Sequence, residues 1–184
     1  DTANILRPRD ELERLGVGVF ETDRGGDVTY HGPGQIVGYP LLHLGHGRQD
    51  VRKYVRSIEE VIIRSLAEYG ITATRIEKWP GVWVEQSRLG GPRKICALGV
   101  HLSRWHTRHG FALNVDPDLS HFELIVPCGI SEAGVTSMAK ELSGAAPSMA
   151  EVEDTLVRQF GNVFESTMQP GPEPVETVSV VVVN

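Results

Sequence analysis

The stretch Asp50-Val-Arg-Lys-Tyr-Val-Arg-Ser-Ile-Glu-Glu-Val-Ile-Ile-Arg-Ser-Leu-Ala-Glu-Tyr-Gly70 decides the fold class. Val51, Tyr54, Val55, Ile58, Val61, Ile62, Leu66 and Tyr69 recur at helical spacing and make one apolar face. Asp50 suits the N-cap, where a carboxylate accepts from backbone N–H groups that the first turn leaves unused. Gly70 suits the position after the last turn, where left-handed backbone ends a helix. A helix with one apolar face needs a layer to cover, and the chain on both sides supplies strands.

Ahead of the helix, residues 4–16 read as a polar helical or loop entry, and residues 17–22 alternate as a strand does. Residues 35–42 are nearly continuous in apolar character, which suits a buried strand. Beyond the helix, residues 71–76 and 82–85 are short strand candidates with Trp79-Pro80-Gly81 as the turn between them. Residues 93–103 form a longer strand. Its period of two sets Lys94, Cys96, Leu98, Val100 and Leu102 on one face and Ile95, Ala97, Gly99 and His101 on the other. A turn over 105–110 and a strand over 111–115 follow. Residues 120–126 read as a helical turn and 134–142 as a short helix. Ser148 with Glu151 fits a capping box ahead of the amphipathic run Val152, Leu156, Phe160, Val163 and Phe164. Residues 170–174 read as a linker and 178–183 as β-prone. Strands outnumber helices and the long helix separates two strand groups, which predicts an α/β (α+β) domain with a mixed sheet.

At 184 residues with 40% hydrophobic side chains, the chain is expected to form one domain over 1–184 with a sizeable core. No apolar run reaches the roughly 18 residues of a membrane span, and no signal peptide opens the chain, which starts on Asp1 and not on methionine. Two cysteines in an acidic chain without an export signal point to a reducing, cytoplasmic compartment. A net charge of −6 argues against a nucleic-acid binder, because phosphate neutralisation needs a basic footprint. Arg88, Arg93, Lys94, Arg104 and Arg108 nevertheless fall within 21 positions. They form either a basic rim for an acidic partner or an ordinary solvated face.

The densest stretch of reactive residue types is Arg24-Gly-Gly-Asp-Val-Thr-Tyr-His-Gly-Pro-Gly-Gln-Ile-Val-Gly-Tyr-Pro40. Glycine lets backbone approach a bound molecule closely, and Arg24, Thr29, Tyr30 and His31 supply polar tips among the glycines. The plain alternative is a Gly/Pro turn between two strands. Cys128 is the best nucleophile candidate, framed by Pro127 and Gly129. A nearby cation would favour its thiolate, whereas a cysteine without a partner is a small buried hydrophobe. Lys94 is the candidate partner. A lysine set against an apolar strand either carries its ammonium out to water or sits partly desolvated and exchanges protons. Cys96 lacks the Pro/Gly frame and reads as core. His43-x-x-His46 and His106-x-x-His109 read as polar loop histidines, since no carboxylate or thiolate completes a metal set, and no metal is expected. No G-x-S-x-G elbow, P-loop or dinucleotide fingerprint occurs.

Four segments in order, RGGDVTYHGPGQIVGYP, KICALG, HGFALNV and IVPCGI, closely resemble the lipoyl (octanoyl) transferases over residues 22–137. The resemblance implies a fold like the lipoate ligase and biotin ligase catalytic domains. It implies an acyltransferase, needing no cofactor, that moves octanoyl from octanoylated acyl carrier protein to lysines of lipoyl domains. The acceptors would be 2-oxoacid dehydrogenase complexes and the glycine cleavage H protein. Cys128 would carry the acyl group as a thioester and Lys94 would lower the thiol pKa. Substrate contacts would fall on Arg24, Gly25, Gly26, Asp27, Val28, Thr29, Tyr30 and His31, on Ala97, Leu98 and Gly99, and on Gly110, Phe111 and Ala112. Tyr30, Leu98 and Phe111 are the expected walls of the acyl slot. Relatives carry several dozen residues ahead of this chain's start, and position 96 is commonly alanine in them. An ATP-dependent lipoate or biotin ligase and a non-catalytic acyl-binding protein are the alternative readings.

Overall fold

A computed structural model describes residues 4–77, 79–126, 133–169 and 171, and the backbone of 180–183. Among these, the elements run α1 (Arg9–Arg14), β1 (Gly18–Glu21), β2 (Thr29–His31), β3 (Gln35–Gly38), α2 (Val51–Glu68), β4 (Thr74–Ile76), β5 (Trp79–Val84), β6 (Arg93–Ser103) and β7 (His106–Asn114). A 3-10 helix (Leu119–Leu124), β8 (Gly134–Val135), α3 (Met138–Glu141), α4 (Met149–Phe164) and β9 (Val180–Val183) complete the order.

The long helix forms as its sequence demands. Asp50 accepts from the Lys53 N–H at 3.0 Å, and Gly70 takes φ of 77° beyond the last turn. Its apolar face, with Tyr54, Ile58, Val61, Ile62 and Leu66 buried, packs on the larger of two cores together with Val152 and Leu156 of α4. The capping box of α4 is present, Ser148 and Glu151 each bonding the other's backbone N–H. Under both helices lies a sheet in the order β3-β7-β6-β5-β4, with β8 parallel to β6. A three-stranded sheet, β1-β9-β2, pairs β9 parallel to β1 and antiparallel to β2. The smaller core gathers Leu12, Val17, Val28, Tyr30, Phe122, Leu124 and Ile125. The sheets are mixed, as expected.

Four sequence expectations are corrected. Trp79-Pro80-Gly81 is the start of β5 and not a turn. Trp83 Nε1 donates to the Trp79 carbonyl at 2.9 Å, and a jump in the β4–β5 register absorbs the proline. The β6–β7 turn is only Arg104-Trp105, both in left-handed backbone, so β7 begins at His106 and includes His109. The expected helix over 134–142 starts late, because Gly134 and Val135 pair with Arg93 and Lys94 before α3 begins behind its Ser137 cap. The glycine-rich stretch contains a strand, β2, that no period announces in three residues.

A fifth correction matters for chemistry. In the β5–β6 ladder Val82 faces Cys96 and Trp83 faces Lys94, so Ile95 is an extra residue on β6. Such a bulge shifts the alternation by one. Lys94 and Cys96 therefore leave β6 on opposite faces: Cys96 enters the helix-covered core with Val82, while Lys94 stacks its ammonium 4.9 Å from the centre of the Trp83 ring. The basic residues also separate, Arg93 at one end of the 11-residue β6 and Arg104 beyond the other, so they form no single rim.

Candidate functional site

Beyond the bulge, β6 and β7 carry large side chains on one face and small ones on the other. Cys96 faces Leu113 and Leu98 faces Phe111 toward the helices, whereas Ala97 faces Ala112 and Gly99 faces Gly110 on the opposite face. The small residues floor a cleft, bordered by Leu98 and Phe111 and walled by Thr22, Arg24, Thr29, His31, Tyr39 and His109. At one end a narrow chamber continues it, sharing Thr29 and Ala97 and reaching Lys94, Gln35, Asn114, Phe122 and Val135.

The loop between β1 and β2 is laid over this floor. Gly25 donates its N–H to the Val100 carbonyl at 2.9 Å, and the Arg24 guanidinium bonds the carbonyls of Gly25, at 3.2 Å, and Asp27. The approach is close. A Cβ on Gly99 would lie 2.7 Å from the Gly25 carbonyl oxygen, and one on Gly110 2.2 Å from that of Gly38. These two positions require glycine because other backbone occupies the space of a side chain.

A buried polar chain links the walls to the segment carrying Lys94. Gln35 Nε2 donates to Asn114 Oδ1 at 2.8 Å, Asn114 Nδ2 donates to the Thr136 carbonyl at 2.9 Å, and the Thr136 N–H donates to the Lys94 carbonyl at 2.9 Å. Gln35 Oε1 also meets His31 Nδ1 at 3.4 Å. Burial pushes the His31 imidazole below its usual pKa, and the Arg24 cation pushes it the same way against the Gln35 bond. His31 is thus neutral at neutral pH. Lys94 is 6% exposed, and its ammonium is kept from bulk water against an aromatic face.

Of the residues expected to touch substrate, Arg24, Thr29, His31, Ala97, Leu98, Gly99, Gly110, Phe111 and Ala112 line the cleft. Gly25, Gly26, Asp27, Val28 and Tyr30 do not. Tyr30 is corrected as a wall: its ring packs in the smaller core against Phe122, and its hydroxyl shares a 2.7 Å hydrogen bond with His121 Nδ1. Val28 is buried beside it. Asp27 accepts from the Val28 N–H at 2.8 Å and from Asn4, so it braces the loop. Cys96, read as core, is sealed there, and burial drives its pKa far up despite Lys94 nearby. Cys128 lies outside the described residues.

Thr22, Tyr39 and His109 line the cleft and were missed. His109 was read as a loop histidine. It sits inside β7 with φ of 58°, and its Nε2 donates to Asp23 Oδ1 at 2.8 Å. Left-handed backbone at a non-glycine residue costs on the order of 1–3 kcal/mol and gathers at functional sites. Its position directly before Gly110 was the available signal.

The lipoyl protein ligase A/B catalytic domain model matches residues 1–161. A Myxococcus xanthus protein named octanoyltransferase is 57% identical over 180 residues, covering 98% of this chain and 50% of its own length. An octanoyltransferase of Solibacter usitatus is 54% identical over 168 residues, covering 91% and 72%. The chain thus spans half the length of the Myxococcus relative. Among solved structures, a bipartite lipoate protein ligase from Thermoplasma acidophilum superposes with a TM-score of 0.65 at 16% identity, covering 91% of this chain and 68% of that one. A lipoate-protein ligase A bound with ATP gives 0.64 at 18%, covering 88% and 65%. The biotin protein ligase of Aquifex aeolicus gives 0.54 at 16%, covering 72% and 53%. Identities this low speak for a shared fold alone.

Proposed function

Because the chain belongs to the lipoyl protein ligase A/B catalytic domain family, we propose that it is an acyltransferase moving octanoyl from acyl carrier protein to a lysine of a lipoyl domain. The observation that carries this reading is the small-residue cleft running into the chamber that holds Lys94. An alkyl chain leaving water for such a slot gains about 0.8 kcal/mol per CH₂, enough for an eight-carbon tail to be selected by length. The names and identities of the relatives support the same chemistry.

Cys128 is the nucleophile in this scheme and Lys94 takes its proton. The thiolate attacks the donor thioester carbonyl, and the carrier's sulfur leaves with the proton from Lys94. An acyl-Cys128 thioester remains. The acceptor lysine's amine then attacks that carbonyl, forming the amide and releasing Cys128, and its surplus proton passes to Lys94 or to neutral His31. The acceptors are the lipoyl domains of 2-oxoacid dehydrogenase complexes and the glycine cleavage H protein.

Intact-mass spectrometry after incubation with octanoylated carrier protein tests the scheme. One octanoyl adduct is expected on the parent protein and on Cys96→Ala, and none on Cys128→Ser; an adduct persisting on Cys128→Ser overturns it. The shared fold with an ATP-binding ligase favours one second reading, activation of the free acid as an adenylate. Turnover of octanoic acid and ATP without carrier protein would establish that reading in place of the first.

A further inference from the structure

The cleft has two ends of different character. Lys94 lies in the chamber at one, past Thr29 and Ala97. Along the ladder Ala97 faces Ala112, Gly99 faces Gly110, and then Val100 faces His109. His109 therefore stands at the end away from Lys94. From Ala97 to Val100 the strand advances about 10 Å, close to the extended length of an eight-carbon chain. Ala97, Ala112, Gly99 and Gly110 border that distance, with Arg24 and the Gly25 and Gly38 carbonyls closing on the two glycines, and the His109 imidazole stands at its far end.

The ring is held from several directions. Its Nε2 donates to Asp23 Oδ1 at 2.8 Å, and the Tyr39 ring stands edge-on to it with centroids 6.0 Å apart. Asp23 is fixed in turn: Arg108 donates to Oδ2 at 2.8 Å, and His101 Nδ1 donates to the Asp23 carbonyl at 2.7 Å. Beyond this cluster the hairpin surface opens to the exposed Arg108 and His106. Left-handed backbone at His109, inside an otherwise continuous ladder, is the cost of aiming a ring here.

We propose that His109, positioned by Asp23 and Tyr39, is the end wall that limits the length of acyl chain the cleft accepts. This rests on reading the cleft as an acyl slot. Asp23 touches no substrate and acts through the ring it holds. Removing the ring joins the slot to open solvent, so longer chains run on past β7 and no longer buckle against it.

The test measures acyl-enzyme formation from carrier-bound chains of six to twelve carbons, with binding of the matching free fatty acids by calorimetry as a second readout. His109→Gly removes the ring and suits the left-handed backbone. Its preference for eight carbons over longer chains is expected to fall severalfold, because the added methylenes no longer buckle against the ring. Asp23→Asn, which keeps size and weakens the hold on the ring, shifts the profile the same way by less, and it carries the test should His109→Gly lose its fold by circular dichroism. Leu41→Ala, at an exposed position outside the slot, leaves the profile unchanged. A clear maximum at eight carbons that stays in place in folded His109→Gly and Asp23→Asn overturns the end wall while the acyl slot stands. A parent protein that neither binds nor transfers any chain overturns the slot and the end wall with it.

Discussion

The two faces of the β6–β7 hairpin are built by the same strands, one residue apart, and they solve opposite problems. The face toward α2 and α4 presents Cys96, Leu98, Val100, Leu102 and Leu113 and is filled by the helices. The other presents Ala97, Gly99, Gly110 and Ala112, and the Gly25 loop with the Arg24 side chain, the Gly38 carbonyl and the Pro40 ring come down on its glycines. Large side chains on a sheet are an invitation to a helix. Small ones let other backbone approach and leave a cleft walled by Arg24, Thr29, His31, Tyr39 and His109. The bulge at Ile95 joins the two designs, since it turns Lys94 toward the slot and Cys96 into the core.

The sharpest way to break this comparison is chemical. Under an alkylating reagent in native buffer, Cys128 should react while Cys96 stays unmodified until the protein unfolds, because its buried thiol does not ionise near neutral pH. Peptide mapping reads this directly, and prompt labelling of Cys96 would mean that the helix-covered face is open. The next largest effect is on stability. Leu113→Ala on the core face should cost about 2–5 kcal/mol by denaturant unfolding and leave the acyl-length preference unaltered.

Gly110→Ala tests the opposite face. Its Cβ would meet the Gly38 carbonyl oxygen, and overpacking of this kind costs about 1–3 kcal/mol. Acyl-enzyme formation should fall more than tenfold, since the strand that must move forms the slot. A variant as active as the parent would show that the floor tolerates side chains. The smallest effect concerns pH. With the His31 pKa lowered from 6.5, the folded protein holds the neutral ring while the unfolded chain is protonated first as pH falls. The stability this ring contributes is present above pH 6.5 and drains away as pH drops toward the folded value. Melting temperature should therefore decline on acidification through this range, and His31→Gln should flatten the decline.

Much of the fold was legible because it is written in local patterns. The α2 face, its Asp50 cap, the capping box at Ser148 and the full extent of β6 follow from spacing and end chemistry that need no distant partner. The errors lie where tertiary pairing overrode a local signal. Pro80-Gly81 suggests a turn until β6 captures the segment as β5, and three-residue β2 exists because β9, some 150 residues later, pairs with it. For the candidate site, nine of the fourteen expected contact residues do line the cleft. Tyr30 lies instead in the smaller core, because β2 forms through pairing with the distant β9.

The chain's own order of residues was enough to establish the strand-and-helix inventory, the family pattern, and the glycine positions where backbone must come close. Helical spacing, capping and steric permissiveness act within a few residues, so they survive in a one-dimensional text. Which face Lys94 and Cys96 occupy was decided only on folding. A bulge is a mismatch between two strands, and neither strand carries it alone. The pairing of His109 with Asp23, 86 residues apart, is likewise a property of the folded molecule, because the Gly25–Val100, His101–Asp23 and Arg108–Asp23 contacts hold the loop against the hairpin.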